Sequence, residues 1–554
     1  MSRYEELEGL FRYEELSRYA GLKKGKKKKK GKTRYSLQSI RRALDELPET
    51  LNATYEHTLQ SIDKEKQAYV HRIFQCIIAS IRPLRVEELM EVLAIQLDAE
   101  TIPRYYEDWR PADAGEALLS TCSTLIAIVN DHGSRIVQFS HFSVQEYLTS
   151  TRLAQSNYAS HHHVRLKAAH AFLARACLTI LLRLDHHVDR DHLKDFPLAT
   201  YAAQHWTDHA QFENTSSLIP DEIELLFDQE KPHFAAWIWV YDVDKYPGGA
   251  HMTSAHPEKP RAVPLYYAAL CGFCGIIEHL TVTHPQDVNA RCGNRATPLH
   301  AALHNGHLEV ARSLLERGAD INARNYTGGT PLHMALERGD TEALQLLIDR
   351  GADPNLQGGV FEETPLYMAS YNGRVEASRL LLRRGADPNH QGRWSGTSLH
   401  GASENGHHDV VRLLIEYGAN VNTRGKDGGT SLHRASSCGS IETTRVLLEH
   451  GANVNARDER DLTPLYSASS VGQLEVMQLL LDRGANVNTQ DRFLVTPLRR
   501  AAEYGRLDVA RVLLEYGADL HIRDNEGRTP FQFAMDKGYH ELARLLSEHT
   551  SEGT

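Results

Sequence analysis

A tetrapeptide that returns at nearly constant steps constrains this chain more than any other feature. Thr-Pro-Leu-His begins at Thr297 and Thr330, and Thr-Pro-Leu-Tyr follows at Thr364. Thr-Ser-Leu-His begins at Thr397 and Thr430, Thr-Pro-Leu recurs at Thr463 and Thr496, and Thr-Pro-Phe at Thr529. The steps are 33, 34, 33, 33, 33, 33 and 33 residues, and a weaker copy starts at Val263, giving nine units. A period of this length is the mark of a stacked solenoid, because no single unit can bury its apolar stripe alone.

Each unit reads as a helix pair. Threonine at the N-cap offers an oxygen to a free backbone N–H, and proline at the next position lacks no needed donor. A glycine nine residues later, as in Gly306, Gly406 and Gly505, suits the turn between helices. The second helix carries an apolar pair such as Leu314-Leu315, then Gly-Ala-Asp/Asn stops it, with Gly318, Gly385 and Gly517 as left-handed caps. Residues 263–554 are identified on these motifs as members of the ankyrin repeat family, which implies a protein-binding scaffold. Serine replaces proline at Ser398 and Ser431, and Ser547 breaks the apolar pair of the last unit. That break is expected to give a polar terminal face, so the array should end near residue 554.

The fold class is therefore mainly α: an ankyrin solenoid of about nine repeats, preceded by a winged-helix and helical-bundle region. Boundaries are placed at 1–34, a basic tail; 35–150, helices plus a winged helix; 151–262, a helical connector; and 263–554. Net charge is −10, distributed as +7, −10 over 35–262, and −7 over the repeats. This argues against a nucleic-acid coat. No apolar run approaches the roughly 20 residues of a membrane span. Seven cysteines in 554 residues suit a reducing compartment, so a cytoplasmic location is expected. The lysine run Lys23–Lys32 is a solvated tail or a nuclear import signal.

In the middle segment, Tyr55, Leu59 and Ile62 fall at helical spacing, and Arg82-Pro83 separates two helices. Strand-like runs at Thr124–Val129 and Arg135–Ser140 flank Asn130-Asp131-His132-Gly133, which is hairpin chemistry. Ser143 and Glu146 have the spacing of a capping box. Helices are expected over His170–Leu184 and Pro197–His209.

LPETLNATYEHTLQSI (47–62), RPLRVEELMEVLAI (82–95), FSHFSVQEYLTS (139–150) and FPLATYAAQHW (196–206) resemble, in order, the segment after the nucleotide-binding domain of fungal NACHT–ankyrin proteins. That is a branch of the STAND, NLR-like family. The resemblance implies a switch in which repeats sense a ligand and a NACHT ATPase oligomerises, in nonself recognition and cell death. It also puts His141 where the family's winged helix touches ADP phosphate; a structural histidine is the simpler reading. Gly31-Lys32-Thr33 ends like a Walker A loop, but Lys26 stands where its first glycine belongs. No NACHT module is expected before residue 35, as in a relative truncated at its front.

There is no G-x-S-x-G, no H-E-x-x-H and no nucleophile–base pair, so no enzyme, cofactor or metal is expected. The 31 histidines are the residues to explain. His300, His333, His400 and His433 share one repeat slot, where Tyr367 and Tyr466 also occur, which indicates packing. Cys271 and Cys274 fall in the first interhelical turn and read as packing. His161-His162-His163 and His186-His187 read as exposed helix ends.

The candidate partner-binding residues are Tyr326, Phe361, Trp394 and Phe493 at the loop tips, and Met334, Met368, Arg434 and Arg500 on the first helices. Exposed aromatics are typical anchors. The expected function is a protein-recognition scaffold or sensor. The alternatives are a STAND ATP-dependent switch whose front half precedes this segment, and an adaptor presenting clients to a complex such as a ubiquitin ligase.

Overall fold

The computed structural model describes residues 49–96, 104–106, 115, 118, 124–156, 159–185, 187–241, 260, 262–292, 295–359, 361–393 and 396–552. The basic tail, its lysine run, the Walker-like triplet, His186 and Trp394 lie outside the described residues.

The front body begins with α1 (Glu49–Gln60) and α2 (Gln67–Ala79). Val70, Ile73 and Phe74 of α2 lie on one buried stripe, joined by Cys76 and Ile78. Ser80 turns the chain extended, and α3 (Val86–Leu93) starts beyond Pro83. Two short antiparallel strands follow, β1 (Ile95–Gln96) and β2 (Arg104–Tyr105).

The hairpin then pairs β3 (Ile126–Asp131) with β4 (Ser134–Phe139), from Ile126 opposite Phe139 to Asp131 opposite Ser134. His132 and Gly133 make the turn, both with positive φ, as a tight two-residue hairpin requires. Val137 N–H donates to Leu84 O at 2.9 Å, so the hairpin docks on the segment that launches α3. That is the wing against its helices.

Helix α4 (Phe142–Thr149) corrects one expectation. Ser143 and Glu146 do not form a capping box: His141 is the N-cap, and its Nδ1 accepts the Ser143 N–H. Ser143 lies inside the helix because its hydroxyl is drawn to Tyr55 Oη, 2.8 Å away.

Next come α5 (Thr151–Ala154), α6 (Leu166–Leu181), α7 (Ala199–Gln211), α8 (Pro220–Leu226) and α9 (Pro232–Val240). Helix α6 starts four residues before the expected His170. His162 is a second correction. It is fully buried beside the Phe74 ring, and burial pushes its pKa down to about 4.

The nine repeats run from Pro264–Cys271 with Cys274–Thr283 to Pro530–Asp536 with His540–Glu552. Threonine N-caps and left-handed glycines stand where the sequence places them, with φ of 77° at Gly306 and 87° at Gly318. The histidine slot is satisfied on both sides. His400 Nδ1 accepts the Thr397 N–H at 3.2 Å, and Nε2 lies 3.2 Å from Gly429 O of the next repeat. His300, His333 and His433 repeat the pattern. Since Nδ1 accepts, the proton must sit on Nε2, and each ring is a neutral clip between neighbours.

A second clip was not anticipated. Asn422 Nδ2 donates to Gly451 O at 3.0 Å, and its Oδ1 accepts the Asn453 N–H at 2.8 Å. Asn289, Asn355, Asn389, Asn455 and Asn488 do the same one repeat apart. Asn322 accepts Asp353 N–H in the same way.

The front body and the array share one apolar core. Trp206 of α7 stacks on Phe273 of the first repeat with centroids 5.1 Å apart, and Phe234 meets Tyr267 edge-on. Cys271 is buried at this joint and Cys274 is exposed; burial lifts the Cys271 thiol to about 12.

The last repeat departs from the polar face expected of it. Ser547 is exposed, but so are Phe531 and Met535, in slots where Leu299 and Leu303 are buried in the second repeat.

Candidate functional site

The site is assembled from the loop that precedes each threonine. In four of these eight loops the shape is set by an Asn or Asp five residues upstream, at Asn325, Asp458, Asp491 and Asp524. Asn325 Oδ1 accepts the N–H groups of Thr327 and Gly329, and Asp491 Oδ1 accepts those of Phe493 and Val495. The side chain thus replaces a backbone turn partner. Neighbouring tips touch: Glu459 N–H reaches Asp427 O, Arg492 N–H reaches Arg460 O, and Asn525 N–H reaches Phe493 O. A Cβ on Gly358 would stand 2.6 Å from Gly328 O, so the tips carrying Tyr326 and Phe361 are in contact.

On this edge Tyr326 is 77% exposed, Phe361 61% and Phe493 47%. Tyr326 and Phe361 therefore lie on successive tips facing solvent. Phe493 lies four tips further on and is partly covered by the Arg492 guanidinium, 4.8 Å from its ring.

The first-helix candidates sit differently. Met334 and Met368 are half-buried against the core. Arg434 is paired with Asp427 at 2.8 Å. Arg500 donates to Tyr466 Oη at 2.6 Å and to Glu503 at 2.7 Å, so its guanidinium is committed within the array. Beside it, Arg499 fills the histidine slot, lies over the Phe533 ring at 3.7 Å and bonds Asp524. His141 is half-buried, with Nδ1 2.5 Å from Ser143 Oγ, which suits the structural reading.

Two features of the tips were missed. Two residues before seven of the eight threonines the backbone is left-handed. Gly328, Gly428 and Gly527 occupy the slot, as sterics favour, but Arg295, Glu362, Asp461 and Leu494 occupy it too, with φ between 52° and 61°. Each such side chain costs about 1 kcal/mol or more of strain. Aligning the repeats on threonine would have exposed these replacements. The second feature is a shallow cavity of about 450 Å³ beside Tyr326, lined by Arg291, Arg295, Asp320, Asn322, Arg324 and Asn325, among others.

The architecture and its tip edge define a class: a winged helix domain followed by an array of ankyrin repeats. Profile matches agree. Ankyrin-repeat profiles match residues 265–358, 355–425 and 399–491, and a second ankyrin profile matches 480–534. Residues 55–161 match the GPI inositol-deacylase winged helix domain. Among individual proteins, azaphilone pigments biosynthesis cluster protein L of Monascus ruber is 32% identical over 293 residues, 50% of this chain and 61% of that protein. Alpha-latrocrustotoxin-Lt1a of Latrodectus tredecimguttatus is 43% identical over 56 residues, 10% of this chain and 4% of the toxin. The chain thus spans about three fifths of the Monascus protein and a small part of the toxin. Ankyrin repeats are protein-interaction modules, and among the described residues no helix is long and apolar enough to cross a membrane.

Proposed function

We propose that this chain captures a protein partner on the tip edge of its repeats, and that it does so as the recognition half of a NACHT-type signalling protein, without chemistry of its own. The observation that carries the reading is the pair Tyr326 and Phe361. Two large aromatic rings stand in solvent on touching tips, and neither fills the core. Rings held on a rigid scaffold lose little entropy on binding, which is why such residues dominate interfaces.

The signalling context draws its support from the front body. The helical segment that follows the matched winged helix packs on the array, Trp206 stacking on Phe273 of the first repeat. A displacement of the repeats can therefore pass to the front body through packed side chains.

The double variant Tyr326→Ala, Phe361→Ala is the test. Both side chains are exposed, so stability should change by no more than about 0.5 kcal/mol. Crosslinking and mass spectrometry of partners captured by the full chain should show a loss of about tenfold or more, as expected for two anchors. Undiminished capture of the same partners by the variant would remove the reading.

A further inference from the structure

The cavity beside Tyr326 gathers three arginines at one place. On other tips the guanidinium is paired or bonded within its own loop: Arg393 pairs with Glu362 at 2.9 Å and Arg528 with Glu526 at 2.5 Å, while Arg424 and Arg523 donate to the carbonyls of Gly428 and Gly527. A second cavity, of about 410 Å³ between the outer helices of the second and third repeats, holds Arg312 and Arg350. Both are paired there, with Glu309 and Glu316. Arg291, Arg295 and Arg324 are exposed and line one concave site, yet none forms an ion pair among the described residues.

We propose that Arg291, Arg295 and Arg324 form a docking site for a short acidic segment of a protein partner, with Tyr326 as its aromatic wall. This rests on the reading of the tips as a protein-binding edge and gives that partner a chemistry. Guanidinium groups present paired N–H donors that match a carboxylate in the plane. Three of them converging from two adjacent tips would bind successive acidic side chains, and the exposed Tyr326 ring would cover the apolar stem between them.

Arg295 adds an independent argument. It holds a left-handed backbone, φ 59°, at a slot that three other repeats give to glycine and three to Glu362, Asp461 and Leu494, but among these only Arg295 lines the cavity. The fold would be more relaxed with glycine there. A side chain kept in a strained position at a solvent-facing site points to a use for that side chain.

The site also limits the length of its ligand. Asp320 lies in the same cavity, with its Oδ1 accepting the Asn322 N–H, and the repeats as a whole carry −7. Beyond roughly 8 Å, the screening length at physiological salt, a long polyanion would meet net negative surface. A short acidic peptide fits; an extended nucleic acid does not.

The test is fluorescence anisotropy of the full chain with labelled octaglutamate, octaglutamine and a single-stranded oligonucleotide. Octaglutamate should bind and weaken with added salt, while octaglutamine should not bind. Arg291→Ala with Arg324→Ala should weaken octaglutamate by about tenfold or more. Arg295→Gly should weaken it as well and raise the denaturation midpoint, a combination that a merely structural arginine would not give. No octaglutamate binding, equal binding of octaglutamine, or unchanged binding by the double variant would overturn the proposal. Tighter binding of the oligonucleotide would replace it with a nucleic-acid site. These outcomes are separate from partner capture by the Tyr326→Ala, Phe361→Ala variant, which tests the edge itself.

Discussion

The two halves of this molecule hold themselves together in opposite ways. In the front body the decisive contacts are single and distant in sequence. Tyr55 meets Ser143 across 88 residues, Ile81 meets Tyr201 across 120, and Glu91 meets the Leu198 N–H across 107. In the array one small set of contacts is copied at nearly fixed separation: His300 to Gly329 across 29 residues, Asn289 to Asp320 across 31. The polar chemistry differs too. The front body buries an ionised group, Glu88, which accepts from Arg82, Arg85 Nε and the Arg85 N–H. Burial alone would raise its pKa, but those hydrogen bonds and charges hold it below the usual carboxylate value. The buried polar clips of repeats 2, 3, 5 and 6 are neutral histidines, one device copied four times, and the array's buried ion pair, Arg499 with Asp524, is confined to the eighth repeat. A body of unique contacts should unfold as one unit, whereas an array of near-equal interfaces should behave as a sum of neighbours.

The largest test of that contrast is at the joint. Trp206→Ala removes a fully buried ring and should cost about 3–5 kcal/mol. It should also uncouple the first repeat, so hydrogen exchange at Phe273 and Ile277 should rise with the front body's. Unchanged protection there would mean that the two halves are not one cooperative structure. A second large effect is expected in the front body. Glu88→Ala removes the acceptor shared by Arg82, the Arg85 side chain and the Arg85 N–H; both guanidinium groups keep access to solvent, so the cost is the lost charged hydrogen bonds, about 3 kcal/mol. Chemical denaturation followed by circular dichroism should show the front transition shifted and the array's central repeats unmoved.

Acid sharpens the comparison further. Burial pushes His300 and His400 down to about 4, so the folded array binds fewer protons than the unfolded chain, whose histidines titrate near 6.5. Their stabilisation is complete above pH 6.5 and is lost as pH falls toward 4, by about 2 kcal/mol each at pH 5. Gln532 fills the equivalent slot in the last repeat, its Oε1 accepting the Thr529 N–H at 2.9 Å. His400→Gln should therefore keep the cap while flattening the decline between pH 7 and 5 by one histidine's share. An unaltered pH slope in urea titrations would show that this clip does not carry the proton linkage.

The same contrast explains what the sequence made legible. In the array, threonine, proline, histidine and glycine each act within their own turn or on the next copy, so periodicity alone placed them. The asparagine clips recur as regularly but join backbone to backbone, and nothing in the side chain itself names that partner. In the front body the readable parts were again local, such as the His132-Gly133 turn. Ser143 and His162 were misread because Tyr55 and Phe74, far off in sequence, decide their surroundings. At the tip edge the exposed aromatics stood out as departures from polar loop chemistry. Arg291, Arg295 and Arg324 did not, because a cluster of three charges from two loops exists only once the tips are stacked.

The smallest expected effect is also the most direct measure of how local the array is. Asn422→Ala deletes two exposed hydrogen bonds between the fifth and sixth repeats and should cost about 1 kcal/mol. If neighbours couple only pairwise, the loss should appear as faster exchange of the Asn453 amide and not at Asp519, where Asn488 remains in place. The eighth repeat supplies its own control. His521 stands at the asparagine position, but the ninth repeat has no Gly-Ala-Asp/Asn loop for it to clip, because helix His540–Glu552 runs through the equivalent positions, so His521→Ala should change stability by less than about 0.5 kcal/mol. Equal losses at Asn422 and His521 would mean that the clip acts within its own loop and not across the interface. A loss at Asn422 that spread to every repeat would mean that the array, like the front body, opens only as a whole.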